Sequence, residues 1–173
     1  MLDDFKPALK ILGRFIGIYL VLFLVYQWYL NPYVGVDLDP ISKWIANQVV
    51  TIQNALGYDS KMVDYPKYET SSFYINGIYP SRMVEGCNAI SIMILFVAFI
   101  FAFYRGKKTI AYALAGVVFL HVLNVLRIVG LNILKLEYPQ YGKVGHDYVF
   151  PAIIYGAVVV LWLIWINKFA LKK

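Results

Sequence analysis

Four long apolar stretches constrain this chain more than any other feature. They cover about residues 9–30, 89–104, 110–134 and 149–166. A helix needs about 20 apolar residues to cross the hydrocarbon core of a bilayer. With 61% hydrophobic and only 15% charged residues, the chain is predicted to be an all-α integral membrane protein with about four transmembrane helices in a bundle. We expect residues 1–173 to form a single membrane-embedded domain.

The first stretch resembles a signal peptide in its position but not in its pattern. Its apolar part is too long for one, and no small-residue cleavage pattern precedes Asn31 and Pro32. We therefore expect an uncleaved membrane anchor.

Lysine and arginine residues cluster at alternate ends of the apolar stretches, which predicts the topology. By the positive-inside rule and an even number of spans, these clusters and both termini are cytoplasmic. The net charge of +6 is thereby explained, so we do not expect a nucleic-acid partner. The clusters are Lys6, Lys10 and Arg14, then Arg105, Lys107 and Lys108, then Lys168, Lys172 and Lys173.

The connection over residues 31–86 lies on the outer side in this topology and is long enough to have structure of its own. Asp39 and Pro40 form an N-cap followed by proline at the first helical position, and Gly57 supplies a stop. An amphipathic helix between them would lie on the outer leaflet, cap the bundle or simply pack against it. Its apolar positions are Ile41, Trp44, Ile45, Val49, Ile52 and Leu56.

Residues 61–80 change character and predict a small extracytoplasmic β-hairpin. Aromatic and β-branched residues flank Asn76 and Gly77, a dipeptide typical of two-residue hairpin turns. Such a strand pair could hold an extended peptide by strand addition, or it could act as a lid.

Cys87 is the only cysteine of the chain, so it cannot form a disulfide within it. Its role is either packing or thiol chemistry. It stands where the polar outer segment meets the second apolar stretch, beside charged residues and at a predicted helix start. A helix N-terminus lowers the pKa of a thiol, and Glu85 opposes this effect unless Arg82 or Arg127 neutralises it.

Arg127 lies inside the third apolar stretch, where a charged residue indicates a functional site by default. The alternatives are an ion pair with Glu85 or a side chain that extends to the interface. Asn124 is one turn earlier on the same helix face and would orient Arg127. His121, near the middle of this span, is more typical of a hydrogen-bonded packing histidine than of a catalyst.

His146 stands beside Asp147 in a glycine-marked turn before the last span. Topology brings it to the same outer level as Cys87 and Arg127. A thiol nucleophile needs a base, a proton donor for the leaving amine and a donor for the oxyanion. We therefore interpret Cys87, Arg127 and His146 as the candidate catalytic residues. One cysteine and two histidines do not make a convincing tetrahedral metal site, and we expect no cofactor.

Three short motifs resemble those of the exosortase/archaeosortase family of membrane cysteine transpeptidases. They are Glu85-Gly-Cys-Asn88 at the start of a span, Asn124-Val-Leu-Arg-Ile128 late in the next span, and Gly145-His146 before the last. The Glu-Gly-Cys-Asn wording looks like the exosortase F type of Bacteroidetes. Asn88 stands where the family more often has serine, and larger members have more spans. The resemblance covers about residues 75–165.

The resemblance implies that Cys87 is the nucleophile, His146 the general acid and base, and Arg127 the residue that stabilises the thiolate or the oxyanion. Glu85, Asn88, Asn124 and Asp147 are candidate supporting residues. The implied substrates are secreted proteins with a C-terminal sorting signal, made of a transmembrane segment and a basic tail. They would be cleaved on the periplasmic face of the bacterial inner membrane through a thioester, which is then transferred or released.

Two other functions remain open from the sequence. One is a non-enzymatic membrane scaffold in which the three residues are structural. The other is a binding site for anionic lipid headgroups, built from Arg82, Arg127, Lys143 and His146.

Overall fold

The protein is described by a computed structural model that covers residues 2–170. It is mostly helical, with one small antiparallel sheet. Lys172 and Lys173, assigned to the last basic cluster, lie outside the described residues. The helices are α1 (Leu2–Leu30), α2 (Pro40–Ala55), α3 (Ile90–Ala102), α4 (Lys107–Glu137), the short α5 (Gly142–Val144) and α6 (Phe150–Trp165); the strands are β1 (Ser60–Tyr65), β2 (Thr70–Ile75) and β3 (Ile78–Met83).

Three helical segments of the described chain are long and apolar enough to cross a membrane: Phe5–Tyr33, Lys107–Glu137 and Pro139–Ala170. This supports the prediction of a membrane protein. The second predicted span forms α3, which has only 13 residues and is about 20 Å long at 1.5 Å per residue. Because the hydrocarbon core is about 30 Å thick, the count of four spans is not confirmed and stays a prediction.

Backbone conformation limits the length of α3 at both ends. Ala89, directly before it, has a φ of +60°, and Gly106, four residues after it, has a φ of +69°. Both values lie in the left-handed region, which interrupts a right-handed helix. The apolar run from 89 to 104 is therefore longer than the helix that it forms.

The chain divides into two compact units. Unit 1 contains the described parts of residues 1–29, 90–120 and 155–173. Its interior is aromatic: Phe96 is fully buried, and Phe99 stacks on Trp162 with 4.3 Å between ring centroids. Gly116 lies so close to the Phe96 ring that a β-carbon would overlap it.

Unit 2 contains residues 30–89 and 121–154, and its core joins α2, the sheet and the second half of α4. The predicted amphipathic helix is confirmed as α2. The Asp39 carboxylate accepts the Ser42 N–H at 3.0 Å, and Pro40 is the first helical residue. The core residues are Leu38, Ile45, Ala46, Val49, Phe73, Met83, Val125, Ile128 and Val129.

Two residues assigned to the apolar face of α2 are exposed. Trp44 is 57% and Leu56 60% accessible. The indole of Trp44 stacks on the ring of His121 instead, with 4.9 Å between centroids. Leu56 follows the last residue of the helix, where the chain turns toward Gly57.

The predicted hairpin is confirmed, and it belongs to a larger sheet. Asn76 and Gly77 connect β2 to β3 with φ values of +52° and +78°, the positive values of a type I′ turn. A third strand, β1, pairs with the other edge of β2. It was not predicted, because its sequence, which contains Lys61 and Asp64, is weakly apolar and does not alternate.

The Lys43 ammonium connects the segment before α2 to β1. Its Nζ lies 2.6 Å from the Asp37 carboxylate and 3.1 Å from the Asp64 carboxylate. The hydrogen bond from Lys43 holds the pKa of Asp37 below its usual value. All three side chains are still partly exposed, with accessible fractions of 26–37%, so the pairs help to define the geometry more than they add stability.

Candidate functional site

Cys87 is the last residue of a single 3-10 turn, Glu85–Cys87, between β3 and α3. Its backbone N–H donates to the Val84 carbonyl at 2.9 Å. The side chain is half-buried and forms no disulfide. The turn therefore fixes the backbone of Cys87 and leaves its thiol partly accessible.

Two side chains of α4 donate to the carbonyl oxygen of Cys87. Asn124 Nδ2 lies 3.1 Å from it and Arg127 Nη2 lies 3.4 Å from it. They are three residues apart, so they project from one face of the helix as predicted. Both bonds hold the main chain of Cys87 and not its sulfur. Asn124 thus positions the backbone of Cys87 directly.

Asn88 is a positioning residue in the structure. It is buried, and its Nδ2 donates to the Ser42 hydroxyl of α2 at 3.0 Å. This bond ties the segment that carries Cys87 to α2. Glu85 begins the same 3-10 turn and is half-buried.

His146 lies in a π-helical segment, Gly145–Val149, that is continuous with α5 and α6, and not in the turn predicted from the sequence. Two glycines bring this part of the helix against the end of α4. A β-carbon on Gly142 would lie 2.8 Å from Lys135 Cγ, and one on Gly145 would lie 2.5 Å from Leu134 Cδ2. Both distances are too short for any larger residue without movement of a neighbour. The close packing of Gly145 against Leu134 therefore sets the position of His146, the residue that follows Gly145.

His146 and Asp147 form a pair, with 2.8 Å between Nδ1 and Oδ1. A carboxylate accepts a hydrogen bond, so this contact favours the ring proton on Nδ1. The lone pair is then on Nε2, the nitrogen that can accept a proton from another group. Asp147, which the sequence indicated as a supporting residue, thereby orients the imidazole.

Cys87, Arg127 and His146 line one cavity of about 380 Å³. Its described wall includes the cations Arg82, Arg127 and Lys135 and contains no aspartate or glutamate. These cations are suited to stabilise an oxyanion that forms in the cavity. The remaining lining residues are Tyr79, Pro80, Ser81, Met83, Val84, Ile128, Leu131 and Phe150.

A second cavity of about 490 Å³ adjoins the first and shares part of its wall. His146 belongs to both, whereas Asp147 and Lys143 line only the second. The imidazole therefore stands between the two spaces. The shared residues are Tyr79, Pro80, Lys135 and His146.

His121 does not belong to the described wall of either cavity. Its Nε2 lies 2.9 Å from Gln48 Oε1, and its ring stacks on Trp44. These are the contacts of a hydrogen-bonded packing residue.

The sequence interpretation missed Asn132, a buried residue of α4 whose Oδ1 accepts the Ser81 hydroxyl of β3. This bond ties the sheet to α4 beside the cavity. A signal was present, because residues 124, 127, 132 and 135 form a polar stripe along one side of an otherwise apolar helix.

No protein-family model, no curated protein and no solved structure matches this chain.

We predict that Asn124→Ala loosens the turn that holds Cys87, because the change removes the shorter of the two bonds to its carbonyl. A net hydrogen bond of about 1 kcal/mol corresponds to a roughly fivefold shift in an opening equilibrium. Labelling of Cys87 by a water-soluble maleimide should accelerate by about that factor. Since the chain has one cysteine, the rate reports a single thiol. Asn47→Ala, at an exposed position of α2, is the control, and equal rates in both variants contradict the prediction.

We also predict that alanine substitutions at two glycines affect thermal stability differently. Gly145→Ala overlaps Leu134 and should destabilise the protein by about 1–3 kcal/mol, which lowers the melting midpoint in detergent. Gly156→Ala introduces a β-carbon that meets nothing within 4 Å in α6, so the midpoint should be unchanged or higher. Equal melting midpoints for the Gly145→Ala and Gly156→Ala variants would contradict the close packing of Gly145 against Leu134.

Proposed function

We propose that this chain is a membrane cysteine transpeptidase or protease, similar to the exosortase/archaeosortase family, that cleaves a C-terminal sorting signal of secreted proteins. The observation that carries the proposal is the common cavity of Cys87, Arg127 and His146. These residues come from three separate parts of the chain and combine a nucleophile, a cation and an acid/base group. That combination suits acyl transfer through a thioester.

The proposed reaction begins with proton transfer from the Cys87 thiol to His146 Nε2. The thiolate attacks a peptide carbonyl, forming a carbon–sulfur bond and a tetrahedral oxyanion. His146 then gives its proton to the leaving amine as the carbon–nitrogen bond breaks, which leaves a thioester on Cys87. An amine or water then attacks this thioester and passes a proton to His146. The carbon–sulfur bond breaks, and His146 returns the proton to the departing thiolate, which regenerates the thiol and the neutral imidazole.

Arg127 and Asp147 act on this reaction from two sides in the proposal. The guanidinium of Arg127 is already directed at the Cys87 main chain, and a guanidinium is a charged donor suited to an oxyanion. Asp147 holds the Nδ1 proton of His146 and stabilises the imidazolium that forms.

For the topology we propose the bacterial inner membrane, with both termini cytoplasmic and the cavity facing the periplasm. The arrangement of lysine and arginine along the sequence supports this orientation. It requires that α3 and its flanking residues complete a fourth crossing. The proposed substrates bring their own transmembrane segment and basic tail to the same membrane.

One observation favours a second candidate, the binding of anionic lipid headgroups. Lys135 and Lys143 line the second cavity beside His146 and Asp147, and their two ammonium groups would attract a phosphate. This candidate does not need a thiol. Cys87→Ser should then be silent, whereas the transpeptidase proposal predicts that it is inactive or nearly so.

We predict that Cys87→Ala abolishes processing of the partner protein and leaves a folded, membrane-inserted chain, because the half-buried thiol makes no bond on which the fold depends. The measurement is the size of secreted proteins in producing cells, followed by mass spectrometry of the wild-type protein for a hydroxylamine-sensitive adduct on Cys87. The adduct identifies the substrate segment. Processing that persists in Cys87→Ala disproves the enzymatic function.

We predict that Arg127→Lys lowers the processing rate by about 10²–10³-fold, the usual cost of removing an oxyanion donor. Lysine keeps the charge but lacks the planar set of donors of arginine. The melting midpoint and maleimide labelling of Cys87 should change little. Arg14→Lys in α1 is the matched control, and an equal effect of the two changes assigns Arg127 a structural role only.

A further inference from the structure

β3 is an edge strand, because the order of the sheet is β1-β2-β3. Five consecutive residues from Tyr79 to Met83, and Val84 after them, all line the cavity that contains Cys87. Successive side chains of a strand point to opposite faces of the sheet. A cavity that touches every residue in turn therefore runs along the edge of the strand and not over one face.

Strand alternation shows which main-chain groups of β2 face β1. The Asn76 N–H donates to the Asp59 carbonyl at 2.8 Å, on the side of β1. The pairing of β2 with β1 is regular throughout. The N–H and C=O groups of successive β2 residues therefore point alternately toward β1 and toward β3. Ser72, four residues before Asn76, therefore directs its N–H and C=O toward β1 as well.

Arg82 is the partner of Ser72 in the pairing of β2 with β3. Because the main chain of Ser72 faces β1, this is a pair without mutual hydrogen bonds. The N–H and C=O of Arg82 consequently point away from β2, toward the open edge that borders the cavity. The main-chain carbonyl of Met83, the next residue, points the other way, toward β2, because it accepts the Thr70 hydroxyl at 2.7 Å.

The open edge is short. Pro80, two residues before Arg82, has no N–H and can only accept a hydrogen bond. The register of β3 also shifts here, between its pairings at Phe73 and Ile75. Proline and irregular pairing are common protections of edge strands. What remains available is the N–H and C=O of Arg82 and the carbonyl of Pro80, which is the hydrogen-bonding pattern of one short added strand.

We propose that an extended segment of the substrate pairs with β3 as an added strand and that Arg82 holds it through main-chain hydrogen bonds. The inference rests on the proposed function and names how that site recognises its substrate. Main-chain donors and acceptors recognise an extended peptide of almost any sequence, and side-chain pockets then supply specificity. Because β3 leads within a few residues to Cys87, a peptide held there presents a carbonyl to the sulfur.

The test compares Arg82→Pro with Arg82→Ala. Proline removes the outward N–H and fills the open edge with its ring, whereas it breaks no bond to β2. Alanine removes the same side chain and keeps the N–H. The probe is a secreted reporter fused to the whole C-terminal sorting signal of the protein identified by the Cys87 adduct, including the residues on both sides of the cleavage site. Processing of this reporter should be at least about tenfold slower in Arg82→Pro than in Arg82→Ala.

A second measurement does not depend on the stability of Arg82→Pro. Synthetic peptides that span the cleavage site of the protein identified by the Cys87 adduct, each with one N-methylated amide, are offered to the wild-type protein in detergent. An added strand predicts that methylation blocks cleavage at alternate positions, with a period of two. Equal cleavage of all peptides overturns strand addition, as does equal processing by the two Arg82 variants when both accumulate. A wild-type protein that processes no reporter in a Cys87-dependent way overturns the proposed function and this inference together.

Discussion

The site depends on a buried amide that is paired with a main-chain carbonyl. Asn124 lies fully buried in an apolar helix, where an unpaired amide side chain is costly. Its bond to the carbonyl of Cys87 satisfies the donor and at the same time fixes the turn between β3 and α3. The position of that turn decides where the sheet ends and where the thiol stands.

The hydrogen bonds around Cys87 restrain its backbone and leave its sulfur without a described partner. Arg127 and Asn124 donate to the carbonyl of Cys87. The side chain of Asn88, the residue after Cys87, donates to the Ser42 hydroxyl of α2. In the proposed reaction the nucleophile has to approach a carbonyl carbon and later release it, and the hydrogen bonds to the main chain of Cys87 would hold its backbone in place during these steps.

Local features could be predicted from the sequence where the signal is a few residues long. The Asp39-Pro40 start and the Gly57 stop located α2, and Asn76-Gly77 located the hairpin. Strand β1 was missed because its pairing with β2 is a tertiary effect that overrides a weak local propensity. The short length of α3 follows from a left-handed backbone at Ala89, which an apolar pattern does not reveal.

The site was predictable in its residue types but not in its contacts. Nothing in the sequence indicated that Asn124 and Arg127 would share one acceptor, since that depends on how the turn meets α4. The position of His146 depends on the close packing of Gly145 against Leu134, and only three-dimensional distances reveal it.

The length of α4 affects the energetic cost of holding the charge of Arg127 in a membrane. Its 31 residues extend about 46 Å, roughly 16 Å more than the hydrocarbon core is thick. A helix takes up such a surplus by tilt or by protrusion into the headgroup layer. Arg127 stands ten residues before the end of the helix, about 15 Å at the same rise. Protrusion at this end, in contrast to tilt, would place the guanidinium near the boundary between lipid and water and so lower the cost of its charge in the membrane.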